Sequence, residues 1–571
     1  MAVYLHPNSQ AFAKRVRLPF FVDKSRLLIE LNQCVDNDDR KYVCISRPRR
    51  FGKTVTAQML CAYYDKCVNS SGLFDPLQVG IAGSQLKVKP GEDTDAITKT
   101  EAEDLYHKHL NRYDVIFISM ATEYSSSGNS VAKLKEQLTQ KIGAELQEHF
   151  PGAVKAESSK LWDMLSDVYS QYRQQYQAEH KVADKTTAEP LVPGQFVFII
   201  DEWDSVIRSS RDRQQEIKDY LNFLRDLLKD RDYVALAYLT GILPIKKYGD
   251  HSALNMFDEY SMLTPLKFAP YSGFTEEEVQ TLCAANQTNF EEMAKWYDGY
   301  TAGETFHIFN PNSVNNALSK GQFMSYWTKT ESSSQALGIY LRLNFKGLKD
   351  AMVRLLTGSE ELIDTQGFEN DLTSFKNRDQ VLTLLVHLGY LTATPVESSY
   401  RKFLVRVPNR EVREELETAI RDEKKYARVA AALRDSKQLL LALQQGDAQT
   451  VARGVARAHE QCCSQLKYND ENSLACALTL AFYCARDHYT LIREMPSGKG
   501  FADLAFIPHP GEDLPALLLE LKYDDSAASA LAQIKNKHYP QALEAYLGNL
   551  ILAGISYDPQ SKEHNCVIGR I

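Results

Sequence analysis

Ser46-Arg47-Pro48-Arg49-Arg50-Phe51-Gly52-Lys53-Thr54 is the stretch that decides the fold of the N-terminal half. It follows a short apolar run, Tyr42–Ile45, and leads into the helix-forming residues 55–66. A strand, a loop and a helix with Gly-Lys-Thr at the junction are typical of a phosphate-binding loop. In such a loop, backbone N–H groups and the helix N-terminus hold phosphates, the lysine reaches the β- and γ-phosphate oxygens, and the threonine hydroxyl ligates Mg²⁺. We therefore predict ATP binding by Arg50, Phe51, Gly52, Lys53 and Thr54.

The match to the usual pattern G-x-x-x-x-G-K-[ST] is incomplete, because Arg47 occupies the position of the first glycine. That glycine normally permits a tight turn. Here Pro48 would stiffen the loop, and the neighbouring arginines add positive charge beside the anion site. The alternative interpretation is a basic loop with no special role.

A second motif lies far downstream, where the apolar run Phe196–Ile200 ends in Asp201 and Glu202. A continuous apolar run is typical of a central parallel strand. Asp201 is predicted to hold the hydration shell of Mg²⁺, and Glu202 to polarise the attacking water. Thr240 ends the next strand, residues 234–241, where it would sense the γ-phosphate or position water; an ordinary strand-end threonine is the alternative. The two motifs together predict a P-loop ATPase built on a parallel α/β sheet.

Composition sets the broad class of the chain. Its 571 residues allow roughly two to four domains, and the net charge of -8 argues against a protein that coats nucleic acid generally. The 10 cysteines show no C-x-x-C pair, which indicates reduced core thiols. We find no signal peptide and no apolar run long enough to span a bilayer, and so expect a soluble cytoplasmic protein without membrane contact.

Several motifs together resemble the AAA-ATPase-like family, whose members usually carry a C-terminal nuclease-like domain of the PD-(D/E)XK superfamily. The resemblance covers nearly the whole chain. It implies a P-loop domain at 1–327, a helical, winged-helix-like domain at 328–460 and a restriction-endonuclease-like α/β domain at 461–571. A tyrosine is more usual where Trp203 stands. The residues that carry the resemblance are 21–24, 46–54, 200–204, 239–241, 296–300 and 309–314.

The middle region is expected to be mostly helical. Residues 379–388 read as a helix stopped by Gly389. Residues 390–394 and 402–407 could then pair as a hairpin, which suggests a winged-helix-like module. Such a module either contacts DNA or serves as a lid or spacer, and no basic stripe favours DNA contact. His387 is interpreted as a packed helix residue, because no partner His or Cys lies near it in sequence.

The C-terminal region has an α-β-β-β-α-β order, with its first helix expected at residues 470–487. This order looks like the PD-(D/E)XK arrangement. Glu520 and Lys522 are two apart on one strand and so face the same side. Asp503 on the adjacent strand would converge with Glu520 on Mg²⁺ or Mn²⁺, because such ions prefer carboxylate oxygens. The metal would polarise phosphate and activate water, and Lys522 would orient that water or stabilise developing charge. Glu471 is a further candidate ligand, with Glu494 as its alternative.

An ordinary strand-end cluster is the competing interpretation of this region. Phe501 stands where the family tends to carry a basic residue. Gln533 and Tyr539 match the motif helix of the family and would line the nucleic-acid side; simple helix packing is their alternative.

Three functions are compatible with these motifs. The first is an ATPase that gates or positions a nuclease acting on DNA or RNA, in defence against foreign nucleic acid. The second is an NTP-driven switch or assembly factor whose inactive nuclease-like domain binds nucleic acid or a protein partner. The third is a nucleotide-binding scaffold without turnover. A homo-oligomer would allow a neighbouring subunit to supply an arginine in trans, with three candidates: Arg208, Arg225 and Arg231.

Overall fold

The computed structural model describes the chain apart from residues 1–3, 86–104, 180–194, 211–212, 246–252, 303–305, 328–336, 344, 369–374, 398, 463–470, 498–499, 510, 537–542, 544–545 and 547. The described residues form two compact units. The first contains Met1–Trp327 and Leu362–Val412, and the second contains Thr328–Glu361 and Arg413–Ile571. Residues 328–460 are thus shared between the two units, and the three-domain boundaries remain a prediction.

Helices occur throughout the described chain. From the N-terminus to the middle region they are Gln10–Val16, Leu27–Asn32, Lys53–Tyr64, Ser71–Phe74, Gln78–Gln85, Met120–Ser126, Val131–His149, Leu161–Glu179, Ser205–Ser209, Gln214–Leu228, Glu276–Ala285, Phe290–Tyr297 and Pro311–Lys320. They continue with Leu348–Leu356, Arg378–Leu388, Arg410–Asp422, Ala427–Gln445, Ala448–Cys462, Glu471–Ala481 and Ala527–Asn536. Short 3₁₀ helices lie at Leu266–Tyr271, Lys424–Tyr426 and Tyr483–Asp487.

The strands are numbered in chain order. They are β1 (Tyr42–Ser46), β2 (Asp114–Ser119), β3 (Phe196–Asp201), β4 (Val234–Gly241), β5 (Asp258–Tyr260), β6 (Phe274–Thr275), β7 (Tyr300–Ala302), β8 (Phe306–Phe309), β9 (Glu361–Asp364), β10 (Thr392–Val396), β11 (Ser399–Arg406), β12 (Tyr489–Ser497), β13 (Gly500–Pro508), β14 (Ala516–Tyr523), β15 (Leu550–Asp558) and β16 (Glu563–Arg570).

The main sheet of the first unit has the order β2-β3-β4-β1-β5, and every neighbouring pair is parallel. Strands β1, β3 and β4 are buried along their whole lengths, as their unbroken apolar runs predict. The register aligns Asp201 with Thr240 and Ser46 with Gly241. The carboxyl ends of β1, β3 and β4 therefore meet at one edge, and the predicted parallel α/β sheet is confirmed.

The helix Gln214–Leu228 shows how the sheet is covered. Its buried residues recur at helical spacing and include Ile217, Tyr220, Leu224 and Leu228, so one apolar stripe packs inward and the polar face is solvated. Two further sheets complete the unit, the antiparallel β6-β8-β7 and the three-stranded β10-β11-β9.

The predicted helix followed by a hairpin is present in the first unit. The helix Arg378–Leu388 ends at Gly389, which has the left-handed φ of 85°, and β10 pairs with β11 in antiparallel fashion. His387 is 1 % exposed and its ring stacks on Phe368 with centroids 5.6 Å apart. The interpretation of His387 as a packed helix residue therefore agrees with its surroundings.

The second unit carries the five-stranded sheet β12-β13-β14-β15-β16. Only β14 and β15 run parallel within it, and the helix Ala527–Asn536 forms their crossover. The predicted element order is confirmed. The first helix is shorter than the predicted residues 470–487, because it ends at Ala481 and a 3₁₀ helix follows. There the N–H of Cys484 donates to Ser436 Oγ at 3.3 Å, a side chain outside the helix.

Two expectations from composition can be compared with the described residues. Among the helices that the structure describes, none combines the length and apolar character needed to cross a bilayer. Among the cysteines whose side chains the structure describes, none forms a disulfide, and five are buried: Cys34, Cys44, Cys61, Cys283 and Cys476.

We expect Gly389→Ala to destabilise the first unit more than Gly321→Ala does. Both glycines end helices with left-handed φ, 85° and 62°, so either alanine should cost about 1–2 kcal/mol in backbone strain. A Cβ at Gly389 would also lie 2.7 Å from Pro48 Cβ and from Trp327 Cη2, whereas nothing lies within 4 Å of one at Gly321. Thermal unfolding of both variants measures the difference, and equal midpoints would contradict the close packing of Gly389 on Pro48.

Candidate nucleotide-binding and nuclease sites

The loop between β1 and the helix Lys53–Tyr64 has the backbone of an anion site. Arg50 and Gly52 both adopt left-handed φ, 68° and 86°, and Gly52 is the N-cap of the helix. Alternating backbone handedness turns successive N–H groups toward one point and forms a concave nest for anions. A Cβ at Gly52 would touch nothing, so a larger side chain would fit there. The left-handed backbone conformation, and not a lack of space, is the reason for glycine at this position. Arg50 is a non-glycine residue in this region, a strained state that is frequent at functional sites.

Lys53 is folded back onto its own loop. Its Nζ donates to the carbonyl oxygens of Arg47 at 3.0 Å and Pro48 at 2.6 Å. Burial lowers the pKa of Lys53 to about 8, although the nearby carboxylates Asp204 and Asp201 act in the opposite direction. Two backbone carbonyl groups therefore bind the ammonium group of Lys53. A phosphate bound in the loop would compensate this positive charge better than the carbonyl dipoles do.

The side chain of Arg47 fixes the loop at the position where the usual pattern has its first glycine. The guanidinium is 1 % exposed and donates to the carbonyls of Ser46 at 2.9 Å and Tyr260 at 2.8 Å, with a longer bond of 3.4 Å to Phe268. Burial lowers its pKa to about 10. Arg47 thus fastens the loop to the chain after β5, and a side chain supplies the fixation for which other loops rely on a tight turn.

Thr54 and Asp201 meet at the sheet edge. Thr54 Oγ1 donates to Asp201 Oδ2 at 2.7 Å, and the N–H of Glu202 donates to Asp201 Oδ1 at 3.0 Å. Burial raises the pKa of Asp201. A hydroxyl beside a carboxylate is a donor set that suits Mg²⁺, so the residues present fit the ion, which would neutralise phosphate charge there. Glu202 has a left-handed φ of 53°, which directs the chain sharply away from the strand.

Thr240 lies where the register predicts, beside Asp201, but its hydroxyl is engaged. It donates to the carbonyl oxygen of Ile45 at 3.1 Å and the residue is fully buried. In this conformation Thr240 links β4 to β1, which agrees with the alternative of an ordinary strand-end threonine. Its role toward a γ-phosphate stays a proposal.

Asp204 is a site residue whose importance the sequence did not reveal. It is fully buried, and its Oδ2 accepts from Arg208 Nε at 2.9 Å and from the N–H groups of Ile242 and Leu243 at 3.2 and 3.0 Å. A Cβ on Gly241 would lie 2.7 Å from Asp204 Oδ1. Asp204 therefore ties the turn after β3 to the end of β4. The sequence signals were its place in the stretch 200–204 and its spacing from Arg208 by one helical turn.

The arginine candidates for action in trans all have partners within this chain. Arg208 pairs with Asp204, Arg225 with Asp226 at 3.0 Å, and Arg231 donates to the carbonyl of Asp226. Arg50, on the loop itself, donates to the carbonyl of Tyr326 at 3.3 Å.

An apolar cavity of about 400 Å³ opens beside Gly52. Its volume is in the range typical of small-molecule sites. At its wall Lys24 Nζ donates to Glu278 at 2.6 Å and to the carbonyl of Pro270 at 2.7 Å. Glu278 also closes a capping box with Thr275, so the helix start fixes the carboxylate that holds Lys24. Other lining residues are Phe20, Phe21, Phe51, Val55, Met59 and Phe274.

In the second unit, the sheet register brings together the positions predicted to bind metal. Leu504 pairs with Leu519 in antiparallel strands, so the next positions along β13 and β14 are Asp503 and Glu520. Glu520 is 2 % exposed; it accepts a hydrogen bond from Gln533 Nε2, and Lys522 Nζ lies 3.7 Å from its Oε1. The residues fit a divalent cation that would polarise a phosphate, because carboxylate oxygens are the ligands that Mg²⁺ and Mn²⁺ prefer.

Other predicted members of this site cannot be placed. The side chains of Asp503, Glu471 and Glu494, and the whole of Tyr539, lie outside the described residues. The backbone of Phe501 pairs with Pro496 across the β12–β13 hairpin. Gln533 is placed, and its Nε2 donates to Glu520; its role toward nucleic acid stays a prediction.

Fold and site define a nucleotide-binding α/β protein that also carries a restriction-endonuclease-like domain. The family model described as a predicted AAA-ATPase matches residues 12–249, and the model described as the PD-(D/E)XK nuclease superfamily matches residues 469–566. Residues 12–249 therefore match an AAA-ATPase-like domain and residues 469–566 a PD-(D/E)XK nuclease-superfamily domain, which confirms the architecture that the motifs suggested. Among curated proteins, none matches it.

Two solved structures are distantly similar. A chain in the structure of Drosophila ORC bound to DNA shares 10 % identity, with 72 % of this chain and 91 % of that chain covered and a TM-score of 0.22. The Aeropyrum pernix ORC2 protein in its ADPNP-ADP complexes shares 12 % identity, with 72 % and 93 % covered and a TM-score of 0.21. Scores this low carry no argument about the arrangement or function of this chain.

We expect ATP affinity to fall as the pH rises above about 8. Lys53 has a pKa of about 8 in the free protein, and a bound polyphosphate would raise this pKa. Above that pH, ATP binding therefore takes up a proton, and the affinity falls by up to about tenfold per pH unit. Calorimetric titrations in buffers of different ionisation enthalpy, from about pH 7 to about pH 9.5, measure the uptake. Lys53→Arg is the control, because its guanidinium does not titrate there. Affinity that is flat across this range would contradict the interpretation.

Proposed function

We propose that this protein is an ATP-hydrolysing enzyme whose P-loop domain controls a metal-dependent nuclease that acts on DNA or RNA. The observation that carries the ATPase half is the contact of Thr54 with Asp201, with Glu202 following at the same sheet edge. A phosphate-binding loop, a metal ligand and a water-polarising carboxylate are the parts that phosphoryl transfer requires.

The apolar cavity beside Gly52 supports ATP as the ligand. It adjoins the anion nest, so a molecule with phosphates at Gly52 could place an aromatic base among Phe20, Phe21 and Phe274. Aromatic side chains favour such a planar base by stacking and apolar burial. Lys53, Thr54 and Asp201 would then hold the triphosphate with Mg²⁺, and Glu202 would orient the attacking water.

The nuclease half of the proposal is supported by Glu520 and its neighbours. A buried carboxylate beside the position of Asp503 would hold Mg²⁺ or Mn²⁺, and Lys522 would stabilise charge that develops on the cleaved phosphodiester. Gln533 would hold Glu520 in the orientation that binds the ion. Glu471 is proposed as an additional ligand.

The biological setting that we propose is defence against foreign nucleic acid. Defence against foreign nucleic acid would use ATP turnover to restrain cleavage until the correct nucleic acid is bound. Free cysteines agree with a cytoplasmic location. The chain passes between the two compact units after residues 327, 361 and 412, so several covalent connections could transmit the nucleotide state. A homo-oligomer with Arg208, Arg225 or Arg231 acting in trans would add a second level of control.

A switch without nuclease activity is the second candidate. It is favoured by Phe501, an apolar residue where a basic one would help to hold phosphate, and by the net charge of -8. In this case the contacts of Glu520 with Gln533 and Lys522 would be structural, and the domain would bind nucleic acid or a protein without cutting.

The ATPase assignment is tested with Glu202→Gln and Lys53→Ala. We expect Glu202→Gln to bind ATP normally and to hydrolyse it about 10²–10⁴-fold more slowly, because the water loses its polarising carboxylate. Lys53→Ala should lose ATP binding. Glu148→Gln removes an equally charged but exposed side chain and should hydrolyse at the wild-type rate. If the wild type hydrolyses ATP no faster than Glu202→Gln, the ATPase assignment is wrong. The protein would then be a nucleotide-binding scaffold without turnover.

The nuclease assignment is tested on plasmid, linear duplex, single-stranded DNA and RNA, with Mg²⁺ or Mn²⁺ and with or without ATP. We expect Glu520→Gln to abolish cleavage and Lys522→Ala to slow it about 10²–10³-fold, because stabilisation of developing charge is lost. Glu512→Gln and Lys437→Ala remove exposed charges of the same unit and should cleave normally.

The outcomes of this assay separate the two candidate functions. Cleavage that depends on Glu520 and changes with ATP would support a controlled nuclease. Nucleic-acid binding without cleavage, unaffected by Asp503→Ala, would support the switch.

A further inference from the structure

A cluster of metal-ligating side chains lies at the opposite edge of the parallel sheet from the nucleotide loop. Asp65 is the C-cap of the helix Lys53–Tyr64, Asp114 opens β2, and Cys67 lies two residues beyond Asp65. His6 comes from the N-terminal segment, whose Leu5 forms an antiparallel bridge with Ile116 of β2. Neither the predicted ATP site nor the nuclease site uses any of these side chains.

The distances within this cluster are short. His6 Nδ1 is 2.8 Å from Asp65 Oδ1, and His6 Nε2 is 3.2 Å from Asp114 Oδ1. One ligand atom from each of His6, Asp65 and Cys67 falls within 4.8 Å of the others. The bond lengths of zinc to nitrogen, oxygen and sulfur imply separations of about 3.3–3.8 Å between tetrahedral ligands. Side-chain adjustments on the order of 1 Å would therefore close the set around an ion.

Burial leaves one acceptor atom of the proposed ligands without a hydrogen bond. Asp65 is 0 % exposed, and its Oδ2 has no hydrogen-bond partner among the described residues. The positive groups at hand are His6 and Lys66, whose Nζ is 2.7 Å from Asp114 Oδ2. An unpaired buried carboxylate oxygen is costly, and a bound cation would satisfy it.

We propose that His6, Asp65 and Cys67 form a binding site for Zn²⁺. Imidazole, thiolate and carboxylate are the ligand types that zinc prefers, and three protein ligands leave the fourth position to water. His6 Nδ1 would coordinate the ion while its Nε2–H donates to Asp114, and in many zinc sites such a hydrogen bond fixes the orientation of the ring. Lys66 holds Asp114 from the other side. Cys67 is exposed, which gives the ion a path from solvent.

The consequence of a bound ion would be mechanical. The N–H of His6 donates to the carbonyl of Val115 at 2.9 Å, so the N-terminal segment already lies along β2, the edge strand of the main sheet. Zinc would fasten this segment to the last turn of the helix Lys53–Tyr64, which begins at the nucleotide loop. It would also protect an edge that could otherwise pair with another chain.

The test uses the full-length protein, freed of metal by a chelator and then titrated with Co²⁺ and Zn²⁺. We expect one equivalent of Co²⁺ to bind with a thiolate-to-cobalt charge-transfer band in the near ultraviolet, and Zn²⁺ to displace it and raise the unfolding temperature. Cys67→Ser should lose the band. Asp114→Asn should keep the band and weaken the affinity about 10–100-fold, as a partner acting through His6 does.

The control is His149→Gln. His149 lies next to His6, with ring centroids 5.3 Å apart, but outside the proposed ligand set, so its loss should leave the affinity within about twofold of wild type. Failure of the wild type to bind either ion would show that the cluster is an ion pair only. Binding that survives Cys67→Ser with the band intact, or that His149→Gln abolishes, would place the ion elsewhere and overturn the proposal.

Discussion

The hydrogen bond from Thr54 Oγ1 to Asp201 Oδ2 joins residues 147 positions apart and depends on the whole architecture of the first unit. It can form only because β1 and β3 are both parallel to β4, which lies between them. The register that pairs Ser46 with Gly241 and Asp201 with Thr240 brings their ends to the same height. A shift of one residue in either pairing would turn the carboxylate toward the other face of the sheet.

Burial governs the chemistry at this edge. Arg47, Asp201 and Asp204 are buried, and Lys53 is partly buried. Arg47 and Lys53 rely on backbone carbonyls, while Asp204 relies on backbone N–H groups and Arg208. Such charges are incompletely compensated at low dielectric. A magnesium polyphosphate would supply the missing charges, so the site is electrostatically prepared for a ligand that carries both signs.

The sequence predicted those features that depend on local pattern. Continuous apolar runs located β1, β3 and β4, and Gly389 marked a helix end, because burial and left-handed φ impose residue types directly. Features that depend on long-range packing were not predictable. No local pattern states that β4 lies between β1 and β3, that Arg47 reaches Tyr260, or that Glu278 holds Lys24. The division of residues 328–460 between the two units was not predictable either, because it also depends on long-range packing.

Glu520 illustrates why a carboxylate at a strand end can be recognised from sequence, whereas its burial and its contacts cannot. Its spacing from Lys522 is local and follows from the two-residue period of a strand. Its burial, by contrast, is produced by the crossover helix that brings Gln533 over β14. The amide of Gln533 and the ammonium of Lys522, at 3.7 Å, hold the carboxylate in one orientation. A divalent cation shared with Asp503 would bind to that carboxylate in the proposed nuclease, so the long-range contacts and not the local spacing decide whether Glu520 can act as a ligand.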